Sequence, residues 1–105
     1  MAAPYNPPVK NEDFVFRVAV EDYANPGNFK TNPTIAAGDF QISKDGGAFA
    51  NLATLPAVQP ASSRWVEVVL SSTEMNADTV VIQAVDQTAP KEWSDFGLCI
   101  LTTSA

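Results

Sequence analysis

The side chains that could do acid-base chemistry in this sequence are carboxylates. The chain has twelve acidic residues and no histidine, which excludes Ser-His and Cys-His nucleophile pairs and the commonest general base. A glycosidase-like carboxylate pair could be drawn from Glu21, Asp22, Asp39 and Asp86. These four residues fall at predicted strand ends and turns, where acids are common for structural reasons, and no Asp-x-Asp-x-Asp loop suggests calcium. We therefore expect a protein that is not an enzyme and that carries no metal or other cofactor.

The charge pattern limits the classes of partner. Twelve acidic against six basic residues give a formal net charge of −6, and no basic cluster is present to neutralise phosphates. The first residues lack the basic and apolar regions of a signal peptide, and no apolar run approaches the ~20 residues of a membrane span. The sequence predicts a protein made in the cytoplasm that binds neither nucleic acid nor membrane.

Sulfur and aromatic side chains are the remaining candidates for a site. Cys99 is the single cysteine and lies in an apolar run, so it is predicted to fill the core. An exposed set of aromatic residues would suggest a carbohydrate platform. The candidates are Tyr5, Tyr23, Trp65 and Trp93. The competing interpretation places Trp65 and Trp93 at opposite ends of the core, because each begins an apolar strand.

The secondary-structure elements that position these candidate side chains are predicted to be strands. Apolar residues alternate with other residues over 14–21 and 65–70, and apolar segments at 79–85 and 93–101 complete the set. Asp45, Gly46 and Gly47 interrupt alternating residues in a way typical of a β-hairpin turn with positive φ. Ser71 and Glu74 have the spacing of a capping box, with room for one helical turn. The pattern predicts an all-β fold, an antiparallel β-sandwich of immunoglobulin-like size with six to seven strands.

The N-terminal segment has a different composition. Residues 1–11 carry three of the eight prolines, which favours an extended arm, and residues 12–105 are assigned to the sandwich domain. An extended arm loses little entropy when it binds a neighbouring subunit. The residues predicted to bind a partner are Pro4, Tyr5, Pro7, Pro8 and Val9.

Two stretches carry a resemblance to a known group of proteins. Residues 36–52 (AAGDFQISKDGGAFANL) and 70–78 (LSSTEMNAD) resemble small proteins encoded among the virion structural genes of tailed bacteriophages, within a similarity that spans residues 32–92. The N-terminal arm has no counterpart in that resemblance. The resemblance implies a β-sandwich component of the virion, present in many copies or as a homo-oligomer, with other virion proteins as partners.

Three functions follow as hypotheses. The first is a capsid decoration or cement protein that binds the major capsid protein on the head lattice. The second is a module associated with the neck, tail or fibre of the same particle. The third belongs to another class, a carbohydrate-binding β-sandwich.

Overall fold

The computed structural model describes residues 7–103 and contains seven strands in that range. The strands are β1 (Phe14–Ala19), β2 (Phe40–Lys44), β3 (Ala50–Asn51), β4 (Ala57–Val58), β5 (Trp65–Leu70), β6 (Thr79–Ala84) and β7 (Phe96–Leu101). They form a three-stranded sheet of order β1-β5-β4 and a four-stranded sheet of order β3-β2-β6-β7. All pairings between these strands are antiparallel. The prediction of an all-β, antiparallel architecture with six to seven strands is confirmed for the described residues, among which no helix could cross a membrane.

The β1–β5 pair shows why alternation specifies this fold. In register, Phe16 lies opposite Val68 and Val18 opposite Val66, so the apolar residues of both strands lie on one face. Val66 and Val68 are fully buried, whereas the intervening Arg17 is exposed. A shift of one residue would expose the whole apolar set, so burial fixes the register.

Both sheets contribute to one buried core. The four-stranded sheet supplies Phe40, Ile42, Val80, Ile82 and Ala84, and the three-stranded sheet supplies Val66, Val68 and Leu70. This sharing of a core is how two amphipathic sheets bury their apolar faces, and it gives a β-sandwich-like fold.

An aromatic cluster closes one part of the core. The ring of Phe40 lies 5.9 Å from Trp93 and 5.8 Å from Phe96, the latter in an edge-to-face arrangement. Trp93 is fully buried and donates from Nε1 to the carbonyl oxygen of Thr34 at 3.2 Å. The sequence places the last strand from residue 93, but β7 begins at Phe96, because Trp93 instead forms an isolated bridge with Asp22.

The turn between β2 and β3 has the geometry that its sequence requires. Asp45 and Gly46 have φ of 50° and 79°, and the amide of Gly47 donates to the carbonyl of Lys44 at 2.9 Å. Positive φ at both central residues matches the twist of the flanking strands. The hydroxyl of Ser43 donates to the carbonyl of Gly47 at 2.7 Å and closes the turn.

The capping box forms as predicted. The amide of Ser71 donates to Glu74 Oε1 at 2.9 Å, and the amide of Glu74 donates to Ser71 Oγ at 3.2 Å. The amide of Met75 donates to the carbonyl of Ser71 at 3.0 Å, and the chain then leaves this single turn. The turn seats Met75, which is fully buried in the core.

The described part of the N-terminal arm lies against the domain. Val9 forms a parallel bridge with Thr103, whose amide donates to the carbonyl of Pro8 at 2.8 Å. The amide of Asn11 donates to the carbonyl of Met75 at 3.0 Å. Residues 1–6, which include the predicted partner-binding residues Pro4 and Tyr5, lie outside the described residues.

Candidate functional site

The four acids considered for a carboxylate pair belong to loops that meet. Asp39 Oδ1 accepts from the amide of Gln87 at 3.0 Å, next to Asp86 in the chain. The amide of Ser94 donates to the carbonyl of Glu21 at 2.9 Å, and Asp22 is bridged to Trp93. We call the loops that carry these four acids, residues 21–28, 34–39 and 85–94, the acidic loop cluster.

The two buried carboxylates of the acidic loop cluster bind backbone amides. Asp39 Oδ2 accepts from the amide of Ala36 at 2.9 Å, and its other oxygen binds Gln87. Asp86 accepts from the amide of Thr88 at 2.9 Å and from that of Glu92 at 2.7 Å. Each side chain thus joins loop segments, because it accepts hydrogen bonds from backbone amides that are not paired within a β-sheet.

The environment of Asp86 favours its ionised form. Burial raises the pKa of this carboxyl, but hydrogen bonds from the amides of Glu92, Thr88 and Trp93 outweigh burial and hold the pKa below its ordinary value. A general acid at neutral pH needs a raised pKa, so Asp86 is poised as a permanent acceptor and not as a proton donor.

The other two acids hold their own loop. Glu21 Oε2 accepts from the amide of Gly27 at 3.1 Å, and Asp22 Oδ1 accepts from the amide of Ala24 at 3.0 Å. Gly27 has φ of 95°, the conformation required after Pro26 in this turn. Within residues 7–103 no group of three or more acids or cysteines is arranged to hold a metal ion.

The aromatic candidates separate in the structure. Trp93 is buried, as the core interpretation predicts, and cannot contact a sugar. The core interpretation is wrong for Trp65, which is 48% exposed because it shares the outer face of β5 with Glu67. Tyr23 is exposed, and the ammonium of Lys91 lies 5.7 Å from its ring centroid while also pairing with Asp95. Tyr5 lies outside the described residues.

The prediction that Cys99 fills the core is wrong, because its side chain is exposed. In β7 the residues Phe96, Leu98 and Ile100 face the core, so the alternate positions Gly97, Cys99 and Leu101 face outward. Leu101 is 70% exposed. A run that is apolar at nearly every position has no polar residue to identify its outer face, and only the pairing register with β6 settles it.

Sequence reasoning missed carboxylate contacts between distant segments, and two of them involve residues of the predicted capping box and hairpin turn. Glu74 Oε2 accepts from the amide of Ala53 at 2.9 Å, which joins the capping box to the β3–β4 connection. Asp45 Oδ1 accepts from the amide of Thr79 at 2.9 Å, which joins the hairpin turn to β6. Spacing along the chain carries no signal for either contact.

A shallow apolar groove lies beside β3. Its volume is about 200 Å³, and its lining includes Phe40, Leu52, Leu55 and Pro56 with one amide side chain, that of Asn51. Asn51 Oδ1 accepts from Gln41 Nε2 at 3.0 Å, so its acceptor is used within the sheet. The groove offers apolar contact and no titratable group.

The predicted partner-binding residues that the structure describes lie near the end of β7. Pro7 is exposed, while Pro8 and Val9 are half-buried through their contacts with Thr103. The part of the arm nearest the domain is therefore bound by the same chain. The sequence predicts an arm that binds a neighbouring subunit and does not predict this contact.

Comparison with protein-family models finds no match to this chain. Comparison with curated proteins likewise finds none. Comparison with solved structures also finds no match to this chain.

Proposed function

We propose that this chain is a non-enzymatic structural protein of a tailed-phage virion, a capsid decoration or cement protein that binds the head lattice. The observation that carries the proposal is that the buried and turn carboxylates have structural roles while large apolar side chains are exposed. Asp39, Asp45, Glu74 and Asp86 all bind backbone amides, whereas large apolar side chains are exposed at several places. The exposed set is Val15, Tyr23, Phe29, Phe49, Leu55, Trp65 and Leu101. Exposed apolar surface supports docking onto other proteins.

The strand order supports the finer assignment of an immunoglobulin-like sandwich. The order β1-β5-β4 corresponds to strands B, E and D of that fold, and β3-β2-β6-β7 corresponds to C′, C, F and G. The length of 105 residues fits the same class. A sandwich of this kind presents sheet edges and loops as docking surfaces, and it needs no catalytic centre.

The attachment mechanism would be repetition of a modest contact. Each subunit would bury apolar surface against capsid proteins, assisted by the N-terminal arm, and a lattice of identical sites makes weak single contacts effective. The proposed location is the virion, after synthesis in the host cytoplasm.

The test is the number of copies per particle. Densitometry of a denaturing gel of purified virions gives the ratio of this chain to the major capsid protein. A decoration protein should be present in many copies per particle, at a constant ratio to the major capsid protein. A small fixed number per particle would contradict decoration and favour the second candidate, a neck, tail or fibre module. Absence of the chain from purified virions would contradict both.

The carbohydrate-binding alternative has less support. A sugar platform needs accessible ring faces, but Trp93 is buried and Lys91 lies over the Tyr23 ring. Trp65 remains as an accessible indole. Titration of a glycan panel against tryptophan fluorescence tests this function, and quenching that Trp65→Phe abolishes would favour it over decoration.

A further inference from the structure

The outer edge of β7 has an ordered row of backbone groups without a neighbouring strand in the described part of the chain. β7 pairs with β6 on one side, where the amide of Thr102 donates to the carbonyl of Asp78. Thr103 points its amide and carbonyl to the opposite side, where they meet Pro8 and Lys10. Because backbone groups alternate along a strand, the amides and carbonyls of Gly97, Cys99 and Leu101 also point to this open side.

Nothing in the sequence of this edge blocks strand addition. Natural sheet edges are usually protected by charged residues, prolines or bulges, and β7 (FGLCIL) contains no charged residue and no proline. The edge strand β1 differs, because Arg17 lies at its centre. The parallel bridge between Val9 and Thr103 does not extend toward Leu101 as a regular ladder, because Pro8 lacks the N–H that the Leu101 carbonyl would accept.

The charge distribution indicates which partner fits. The outward side chains of the four-stranded sheet carry no charge, although the whole chain has a net charge of −6. These outward residues are Gln41, Asn51, Thr79, Val81, Gln83, Gly97, Cys99 and Leu101. A two-fold contact brings the same surface of both copies together, and each copy has a net charge of −6. An edge and face without charged side chains avoid adding local like-charge repulsion, so they suit self-association.

We propose that β7 pairs antiparallel with β7 of a second copy, about a two-fold axis at Cys99. In this register Gly97 lies opposite Leu101 of the second copy, and Cys99 lies opposite its own equivalent. Each opposed pair exchanges both of its outward hydrogen bonds, and the two sheets become one continuous sheet of eight strands. Leu101 covers the position where Gly97 has no side chain. This self-association does not depend on the virion function proposed above.

The register makes a disulfide between the two Cys99 residues a direct test. Residues opposed as a hydrogen-bonded antiparallel pair have Cα atoms about 5.5 Å apart, within the ~4.4–6.8 Å that disulfides span. Diamide, which takes up the two thiol hydrogens, should convert the full-length protein to a covalent dimer seen on a non-reducing gel. The matched control carries Cys99→Ser and Val15→Cys, which moves the thiol to the exposed outer face of β1. The control should crosslink at least several-fold more slowly.

A charge substitution tests the same contact without oxidation. Cys99→Lys places two ammonium groups opposite each other across the axis, where like charges oppose pairing. Sedimentation of the full-length protein should show a concentration-dependent dimer whose dissociation constant rises several-fold in Cys99→Lys and is unchanged in Val15→Lys. Equal crosslinking of the two thiol positions would overturn the proposal. A protein that stays monomeric at every concentration would also overturn it, and would leave another protein as the possible occupant of this edge.

Discussion

Asp45 Oδ1 accepts a hydrogen bond from the backbone amide of Thr79 at 2.9 Å, and the amide of Asp45 donates to the carbonyl of Thr79 at 2.9 Å. The same carboxylate accepts from the amide of Asp78 at 3.2 Å. One turn residue therefore joins the β2–β3 hairpin to the start of β6, and it does so with φ of 50°, which Asp and Asn tolerate better than other side chains.

We expect Asp45→Ala to lower the free energy of unfolding by about 2–3 kcal/mol, because it removes the acceptor and adds backbone strain. Asp45→Asn keeps an oxygen acceptor and the tolerance of positive φ, so its cost should be less than half as large. Chemical denaturation of the two variants measures the difference. Equal costs would show that the link to Thr79 contributes little.

The second prediction concerns Gly46. Its φ of 79° is costly for a β-branched residue, so Gly46→Val should destabilise the protein by about 1–2 kcal/mol. An added Cβ at Gly46 meets no atom within 4 Å, so the cost would come from the backbone and not from a clash. Ala48→Val adds bulk at an exposed position of the same hairpin and serves as the control. A melting temperature equally unaffected in both variants would be inconsistent with the turn geometry.

The third prediction is a pH dependence that arises from Asp86. The amides of Glu92, Thr88 and Trp93 hold its pKa below the ordinary value of 3.8 although burial acts in the opposite direction. The folded state therefore binds this proton less readily than the unfolded state. The stabilisation from Asp86 is fully present above pH 3.8 and is lost as the pH falls from there through the lowered pKa.

Asp86→Asn should be less stable at neutral pH and should lose less stability than the natural sequence when the pH falls below about 4. Denaturant unfolding between neutral pH and pH 3 tests this, with Asp13→Asn as an exposed control. Parallel stability curves for Asp86→Asn and the natural sequence would contradict the role of Asp86.

How far the sequence predicts the structure depends on whether a residue acts through its neighbours in the chain. The alternation of β1 and β5 and the Ser71–Glu74 box are local patterns, and the structure confirms them. The exposure of Trp65 follows from the same alternation, because it shares a face with Glu67. The exposure of Cys99 depends on which face of β7 is covered, and a strand that is apolar at nearly every position does not encode that choice locally. The contacts of Asp45 and Glu74 likewise join segments distant in the chain.

The fourth prediction follows from the exposure of Cys99. At protein concentrations below the dissociation constant of the proposed dimer, the Cys99 thiol should react with a chromogenic disulfide reagent in the native protein nearly as fast as in denaturant. The Cys99→Ser variant gives the background. A thiol that reacts only after unfolding would restore the core assignment that the structure rejects.

The last prediction separates the folding role of the N-terminal arm from its proposed role in attachment. Pro8, Val9 and Lys10 are bound to Thr103 through two backbone hydrogen bonds of 2.8 and 2.9 Å and the parallel bridge. Deletion of residues 1–6 leaves these bonds in place, so the melting temperature should be unchanged. Deletion of residues 1–10 removes them and should lower the melting temperature by several degrees, because each backbone hydrogen bond contributes about 1 kcal/mol.

Attachment to virions should already be weakened by the deletion of residues 1–6. The proposed arm has Pro4 and Tyr5 in the deleted part and Pro7, Pro8 and Val9 in the retained part, and its prolines reduce the entropy lost on binding. Purified protein without residues 1–6 should therefore occupy virions that lack this chain far less completely than the full-length protein at equal concentration. Equal occupancy would mean that residues 1–6 are dispensable for attachment, so the contact would have to be made by the sheet edges or by the hairpin tip at Asp45, Gly46 and Gly47.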